Sequence, residues 1–214
     1  MSVHILVINK NILELLPQKA IYWHDTETLI VSDLHLGKAS HFRKHGLPIP
    51  MESGIDDLQQ LSLLLDIYKP KRLLILGDLF HSDYNQEWEF FGNLRRKYAR
   101  VNFKLVRGNH DILKDHHYEK YDIEMHAKTF TENDFIFSHD FVPLKEEQFS
   151  ITGHIHPGFE LHGKGRQSLI LPCFYKKKNT LVMPAFGRLT GLAHMPADET
   201  AEVFVLTEEA VHRV

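Results

Sequence analysis

Three times in its first half this chain runs a short apolar stretch straight into an acidic or polar block. Leu29 to Val31 leads into Asp33-Leu34-His35, Arg72 to Leu76 into Gly77-Asp78, and Val101 to Val106 into Gly108-Asn109-His110-Asp111. Between the first two lies a helical stripe: from Met51 to Tyr68, the apolar residues Ile55, Leu58, Leu61, Leu65 and Tyr68 step by three or four. Pro50 suits the first turn of that helix and Pro70 ends it. Trp88, Phe91, Leu94 and Tyr98 predict a second helix between the second and third blocks. Strand, block and helix in alternation describe an open α/β half whose polar residues sit at strand ends, where such sheets bind ligands.

Val3 to Ile8 and Ala20 to Trp23 predict two further strands, with a turn at His24-Asp25-Thr26-Glu27. Beyond Lys128 the pattern changes to strands joined by loops: Phe135 to Phe137, Phe149 to Ile151, Ser168 to Leu171, Thr180 to Met183 and Ala201 to Leu206. A βαβ half followed by a β-rich half suggests two packed sheets flanked by helices. The 214 residues, 43% hydrophobic, suffice for one core, and no linker, repeat or low-complexity tract marks a second unit. We therefore read residues 1–214 as a single domain. The lone cysteine, Cys173, excludes an internal disulfide and fits a reducing compartment. The N-terminus lacks a signal-peptide pattern, and no apolar run approaches the roughly 18 residues of a membrane span. The expectation is a cytoplasmic protein with no membrane partner. A formal net charge of -3 neither demands nor forbids nucleic acid.

Two more polar blocks follow: His139, and Gly153-His154-Ile155-His156. Asp33 and His35 are one residue apart, so in an extended segment their side chains point the same way and clamp one ion. Asp78 has two carboxylate oxygens with which to bridge two ions. His154 and His156 repeat the one-residue spacing, bracketed in a turn by Gly153 and Pro157. Oxygen and imidazole donors without thiolate suit Mn²⁺, Fe²⁺ or Zn²⁺. Of the 16 histidines, His4, His24, His116, His117, His126, His194 and His212 lie outside the blocks and read as ordinary surface or core residues.

The five blocks, in this order, resemble those of the calcineurin-like metallophosphoesterases. The resemblance implies a four-layer αββα sandwich with a dinuclear metal centre at its strand-loop rim. It assigns one ion to Asp33, His35, Asp78 and His156, and the other to Asp78, Asn109, His139 and His154. Four protein ligands per ion plus a bridging water favour Mn²⁺, with Fe²⁺ or Zn²⁺ as alternatives. Two such ions lower the pKa of a bridging water from about 15.7 towards neutrality, making hydroxide available to attack phosphorus. His110, beside ligand Asn109 but outside the ligand set, is then the candidate donor to the leaving alkoxide, with Asp111 to orient it.

Finer features are similar to the ligase-associated DNA-damage-response endonucleases of the PdeM branch. They are Leu36 to Pro50 after the first block, Gly77-Asp78-Leu79-Phe80-His81-Ser82, Leu171-Pro172-Cys173-Phe174, Met183-Pro184-Ala185-Phe186-Gly187 and Thr190-Gly191. Leu189 and Leu192 depart from that pattern, standing where Phe and Gly are expected. The similarity implies single-stranded or damaged DNA as substrate and work beside a DNA ligase and a helicase. Lys38, His41, Arg43 and Lys44, interleaved with Phe42 on the loop after His35, are the candidate substrate-binding residues; a solvated loop or helix start has the same composition. Arg95, Arg96, Lys97 and Arg100 read as the solvent face and C-terminal end of the second helix. Other readings are a small-molecule phosphodiesterase or pyrophosphatase, of cyclic-nucleotide or lipid-linked type, and a non-catalytic scaffold.

Overall fold

The structure, a computed structural model, describes residues 2–44, 52–81 and 84–214. The expected place of Pro50 in a helix lies outside those residues. Seven strands lie side by side in chain order: β1 (His4–Ile8), β2 (Asn11–Leu16), β3 (Ala20–Trp23), β4 (Thr28–Val31), β5 (Arg72–Leu76), β6 (Asn102–Val106) and β7 (Ile123–His126). Neighbours from β1 to β4 are antiparallel, and those from β4 to β7 parallel. The change falls where short turns give way to crossovers, because parallel neighbours need a dozen or more residues, usually a helix, to connect them. The crossovers carry α1 (Lys38–Lys44), α2 (Glu52–Tyr68), α3 (Gln86–Lys97) and α4 (Asp115–Glu119). Asn85 caps α3 by accepting the Glu87 N–H at 2.9 Å. The left-handed Lys69, at φ 46°, followed by Pro70, ends α2.

The second sheet is built from β8 (Thr129–Glu132), β9 (Phe135–Ser138), β10 (Phe149–Thr152), β11 (Pro157–His162), β12 (Ser168–Lys177), β13 (Thr180–Val182), β14 (Ala193–His194), β15 (Ala201–Leu206) and β16 (Val211–Arg213). Here β9, β10 and β13 run parallel, while β8, β12, β15 and β16 join by antiparallel pairs. Both sheets are thus mixed.

Alternation within the strands assigns the layers. Leu29, Val31, Leu73, Ile75, Phe103 and Leu105 pack with Leu58, Leu61 and Leu65 of α2, Trp88 and Phe91 of α3, and Tyr118 of α4. The intervening Ile30, Leu74, Leu76 and Val106 face Phe135, Phe137, Ile151, Phe174, Leu181 and Phe204 of the second sheet. Strands buried on both faces read as continuous apolar runs, which is why Arg72 to Leu76 shows no polar alternation. Each such side chain contributes about 1.5–3 kcal/mol relative to an exposed one.

The two packed mixed sheets flanked by helices form the sandwich expected from the sequence, and three local features refine that reading. The outer face of the second sheet carries Cys173, Tyr175, Val182, Val203 and Val205, with Phe159, Leu161 and Met195 packed on them. Among the described residues after Lys128 there is no α-helix, so helical cover lies over the first sheet; no helical stripe runs through that half of the chain. Lys38 to Lys44, read as a loop or the start of a helix, forms α1. Arg95 is buried rather than solvated: it donates to the Tyr121 carbonyl at 2.9 Å, pairs with Asp122 at 2.8 Å and lies over the Phe103 ring. Among the described residues no helix is long and apolar enough to cross a membrane.

Candidate metal centre

Asp33 follows β4, Asp78 follows β5, Asn109 follows β6, His139 follows β9, and His154 and His156 follow β10. Each of these strands belongs to a parallel set, so their C-terminal ends meet at one rim between the sheets. The loops there are stitched together by backbone. Asp33 N–H donates to Gly77 O at 3.2 Å, His35 N–H to Asp78 O at 2.8 Å, and Leu36 N–H to Leu79 O at 3.0 Å. From the second sheet, Phe186 N–H reaches Ser32 O at 2.8 Å and Gly187 N–H reaches Asp33 O at 3.1 Å. The Met183-to-Gly187 segment therefore clamps the sheets beneath the first block.

The paired residues converge by a route other than an extended strand. Asp33, His35, Asp78, His154 and His156 all have left-handed backbone, with φ of 54°, 48°, 49°, 69° and 55°. That conformation costs an L-residue about 1–2 kcal/mol, and strain of this kind concentrates at functional sites, where surrounding structure holds it. Gly77, at φ 77°, is required for a second reason: a Cβ there would overlap the His139 ring.

Two groups of donors result: Asp33, His35 and His156, and Asp78, His139 and His154, the ligand atoms in each lying within 4.8 Å of one another. In the first, His156 Nε2 is 3.3 Å from Asp33 Oδ1 and 3.4 Å from His35 Nε2. In the second, His139 Nε2 is 3.4 Å from Asp78 Oδ2, 3.0 Å from Asn109 Oδ1 and 3.0 Å from His154 Nδ1. Asp78 Oδ2 is also 3.6 Å from His35 Nε2 and so lies between the groups, whereas Asp78 Oδ1 accepts the His110 N–H at 2.8 Å. The shared contact is made by a single oxygen rather than by one oxygen per group.

These residues fit a pair of divalent cations. Asp33 Oδ1 is fully buried and has no hydrogen-bond partner among the described residues, although three imidazoles surround it. A buried carboxylate oxygen left in that state costs several kcal/mol unless an ion takes it. His139 Nδ1 lies 3.0 Å from the Leu76 carbonyl, which can only accept, so Nδ1 carries hydrogen and Nε2 faces the site. Burial alone would favour neutral Asp78 and His139; the hydrogen bond and charge between them overrule it, lowering Asp78 and raising His139. The proton so held on His139 is one that a divalent ion would displace. Burial pushes His35 down to about 3 despite Asp78 and Asp33, leaving a neutral imidazole.

The remaining candidates are distributed as follows. The His110 ring stands 5.3 Å from the His35 ring and 4.1 Å from that of His81. Asp111 is buried, and its carboxylate accepts the Gly108 N–H at 2.9 Å and the Phe80 N–H at 3.2 Å. Its contacts pin the loop backbone, in place of the contact to His110 expected from the sequence. Burial lowers the Lys38 ammonium pKa, and the nearby charges of Asp78 and Asp33 oppose the shift. The side chains of His41, Arg43 and Lys44 lie outside the described residues. Glu87 went unnoticed in the sequence: from α3 it accepts the Gly37 N–H at 2.7 Å and the Ser40 hydroxyl at 2.6 Å, fixing the start of α1. Only tertiary contact reveals it.

Residues 26–196 match the family model described as calcineurin-like phosphoesterase. The chain belongs to that family. It is a metal-dependent phosphoesterase, and the two donor groups are suited to a dinuclear divalent centre. Among solved structures this phosphoesterase is similar to Pseudomonas putida nuclease MPE, at 26% identity over 100% of both chains with a TM-score of 0.83. A phosphoesterase from E. coli, Yfce, aligns at 15% identity over 87% of this chain and 97% of that one, with a TM-score of 0.48. No protein of curated function matches the sequence.

Proposed function

We propose that this phosphoesterase is a manganese-dependent phosphodiesterase that acts as an endonuclease on single-stranded or damaged DNA, in DNA repair. The observation that carries the reading is end-to-end similarity, at 26% identity, to a protein described as a nuclease. The surroundings of the centre support it. Asn109 is exposed and His110 half-buried, so the donor groups open to solvent at that side. Phe141, 56% exposed, stands two residues beyond His139 and gives a base a face to stack on. Phe141 also lines a groove of about 700 Å³ with Lys145, Glu146, Tyr175 and Lys178, and the ammonium groups of Lys145 and Lys178 are suited to backbone phosphates. Lys38, within electrostatic reach of Asp78 and Asp33, would hold a phosphate at the centre itself.

Divalent ions, when bound, supply neutralisation of phosphoryl charge and acidification of a water. The chain's own residues do the rest. Asp33, His35, Asp78, Asn109, His139, His154 and His156 would hold and orient the pair, and burial keeps His35 unprotonated for that task. His110, anchored through its N–H to Asp78 Oδ1, presents its ring beside the first donor group and gives the leaving alkoxide its proton. Asp111 keeps the intervening turn in register.

Circular single-stranded DNA and bis-p-nitrophenyl phosphate, each with Mn²⁺ and with EDTA, test the proposal. Linearisation of the circle in Mn²⁺, abolished by EDTA, is expected. Hydrolysis of the dye ester alone would point to a small diester, and hydrolysis of neither to a scaffold. Higher turnover with Zn²⁺ or Fe²⁺ than with Mn²⁺ would overturn the choice of metal. Affinity capture with the host's DNA ligase and helicase tests the partnership that the sequence resemblance implies; recovery of neither would remove it.

A further inference from the structure

His81 closes the block Gly77-Asp78-Leu79-Phe80-His81, and no role above uses it. Its Nδ1 lies 3.2 Å from Nδ1 of His35, and its ring lies 4.1 Å from that of His110 at an interplanar angle of 32°. We propose that His81 is a positioning residue for both: it fixes the tautomer and orientation of His35 and supports one face of His110. The second half of this statement rests on the function proposed above; the first rests only on the donor geometry.

His35 meets the first donor group through Nε2, 3.4 Å from His156 Nε2 and 3.6 Å from Asp78 Oδ2. A neutral imidazole that turns a lone pair outward at Nε2 carries its hydrogen on Nδ1. That N–H belongs to a residue only 5% exposed, so leaving it unmatched is costly. The facing His81 Nδ1 is the acceptor, which places the hydrogen of His81 on its own Nε2. Metal-bound histidines commonly give their second N–H to a carbonyl, a carboxylate or water. His139 follows that rule with the Leu76 carbonyl, and His35 uses a second imidazole instead.

The backbone of His81 is set for this work. Its N–H donates to Leu36 O at 2.7 Å, and the preceding Phe80 N–H donates to the Asp111 carboxylate at 3.2 Å. The first block, the second block and the Asn109-His110-Asp111 turn thus converge on one side chain. That convergence lets it act on a ligand and on the proton donor together.

Three variants and two readouts separate the roles. In His81→Asn the amide oxygen, attached like Nδ1 to Cγ, can take the His35 N–H; in His81→Gln it is displaced by one bond, and His81→Ala has no acceptor. Titration of metal-free protein with Mn²⁺ by calorimetry should show one ion weakened about 10–100-fold in the Ala and Gln variants, and largely restored in Asn. Circular dichroism confirms that each variant folds, and Asn keeps the test open should Ala fail to. Turnover of a phenyl diester, whose leaving group needs a proton, should fall more than that of a p-nitrophenyl diester in all three, because each lacks the ring against His110. Wild-type affinity for both ions in His81→Ala would overturn the tautomer role. Equal losses on the two esters would overturn the support of His110. Failure of the wild type to bind two ions or to hydrolyse either ester would instead strike the function proposed above.

Discussion

Replacing Gly77 by alanine perturbs the centre without replacing a donor residue. The added Cβ overlaps the His139 ring and lies 2.7 Å from the His139 Cβ, while the backbone is held at φ 77°. The left-handed conformation costs a residue with a Cβ about 1–2 kcal/mol. Overpacking a buried site adds about 1–3 kcal/mol. If His139 swings aside to relieve the clash, it gives up its bond to the Leu76 carbonyl, worth about 1 kcal/mol, and leaves the second donor group. Gly77→Ala is therefore expected to lower the unfolding free energy of the metal-free protein by about 2–5 kcal/mol in urea denaturation. Calorimetric titration with Mn²⁺ should lose the ion held by Asp78, His139 and His154 and keep the one held by Asp33, His35 and His156. Gly191→Ala serves as the control, since nothing lies within 4 Å of its added Cβ. A Gly77→Ala protein as stable as wild type, binding both ions with unchanged affinity, would refute the reasoning.

Other expectations follow from single contacts. His110→Asn should keep metal binding but lose about 10²–10⁴-fold in turnover; near-normal turnover would take His110 out of the chemistry. Glu87→Ala strips the start of α1 of its acceptor and should cost about 2–4 kcal/mol by thermal denaturation, and a loss under half a kcal/mol would deny that anchor. Burial raises the Asp57 carboxyl from 3.8 to about 6, so the folded state holds more protons than the unfolded one between those values. Its contribution is fully present below 3.8 and is lost as pH rises through about 6. Asp57→Asn should therefore gain up to about 3 kcal/mol on wild type between pH 4 and pH 7; parallel stability curves would contradict the assignment.

The donor residues could be picked out in the sequence because each sits at a fixed place relative to a strong local signal. An apolar run long enough for one strand, followed within a few residues by a carboxylate or a carboxamide, marks Asp33, Asp78 and Asn109 without knowledge of the partners. The mechanism of convergence was hidden. A one-residue spacing suggests an extended segment, yet left-handed backbone at Asp33, His35, His154 and His156 does the work, and hydrogen bonds from other loops help to hold it. β2 and β8 escaped notice because Asn11 to Leu16 and Thr129 to Glu132 lack both a clean alternation and a continuous apolar run. Arg95 reads as solvent-exposed until Tyr121 and Asp122, far along the chain, supply acceptors for it. Asp111 misled for a related reason. Adjacency to His110 suggests a pair, but the nearest unsatisfied donors are the N–H groups of Gly108 and Phe80.

Asp78 Oδ2 faces both His35 and His139, and that carboxylate would hold both divalent ions when they are bound. Anomalous diffraction from crystals soaked in Mn²⁺ tests it most directly. Two peaks are expected, one among Asp33, His35 and His156 and one among Asn109, His139 and His154, with Asp78 Oδ2 bonded to both. A single peak, or two peaks with Asp78 turned away from either, would contradict the account.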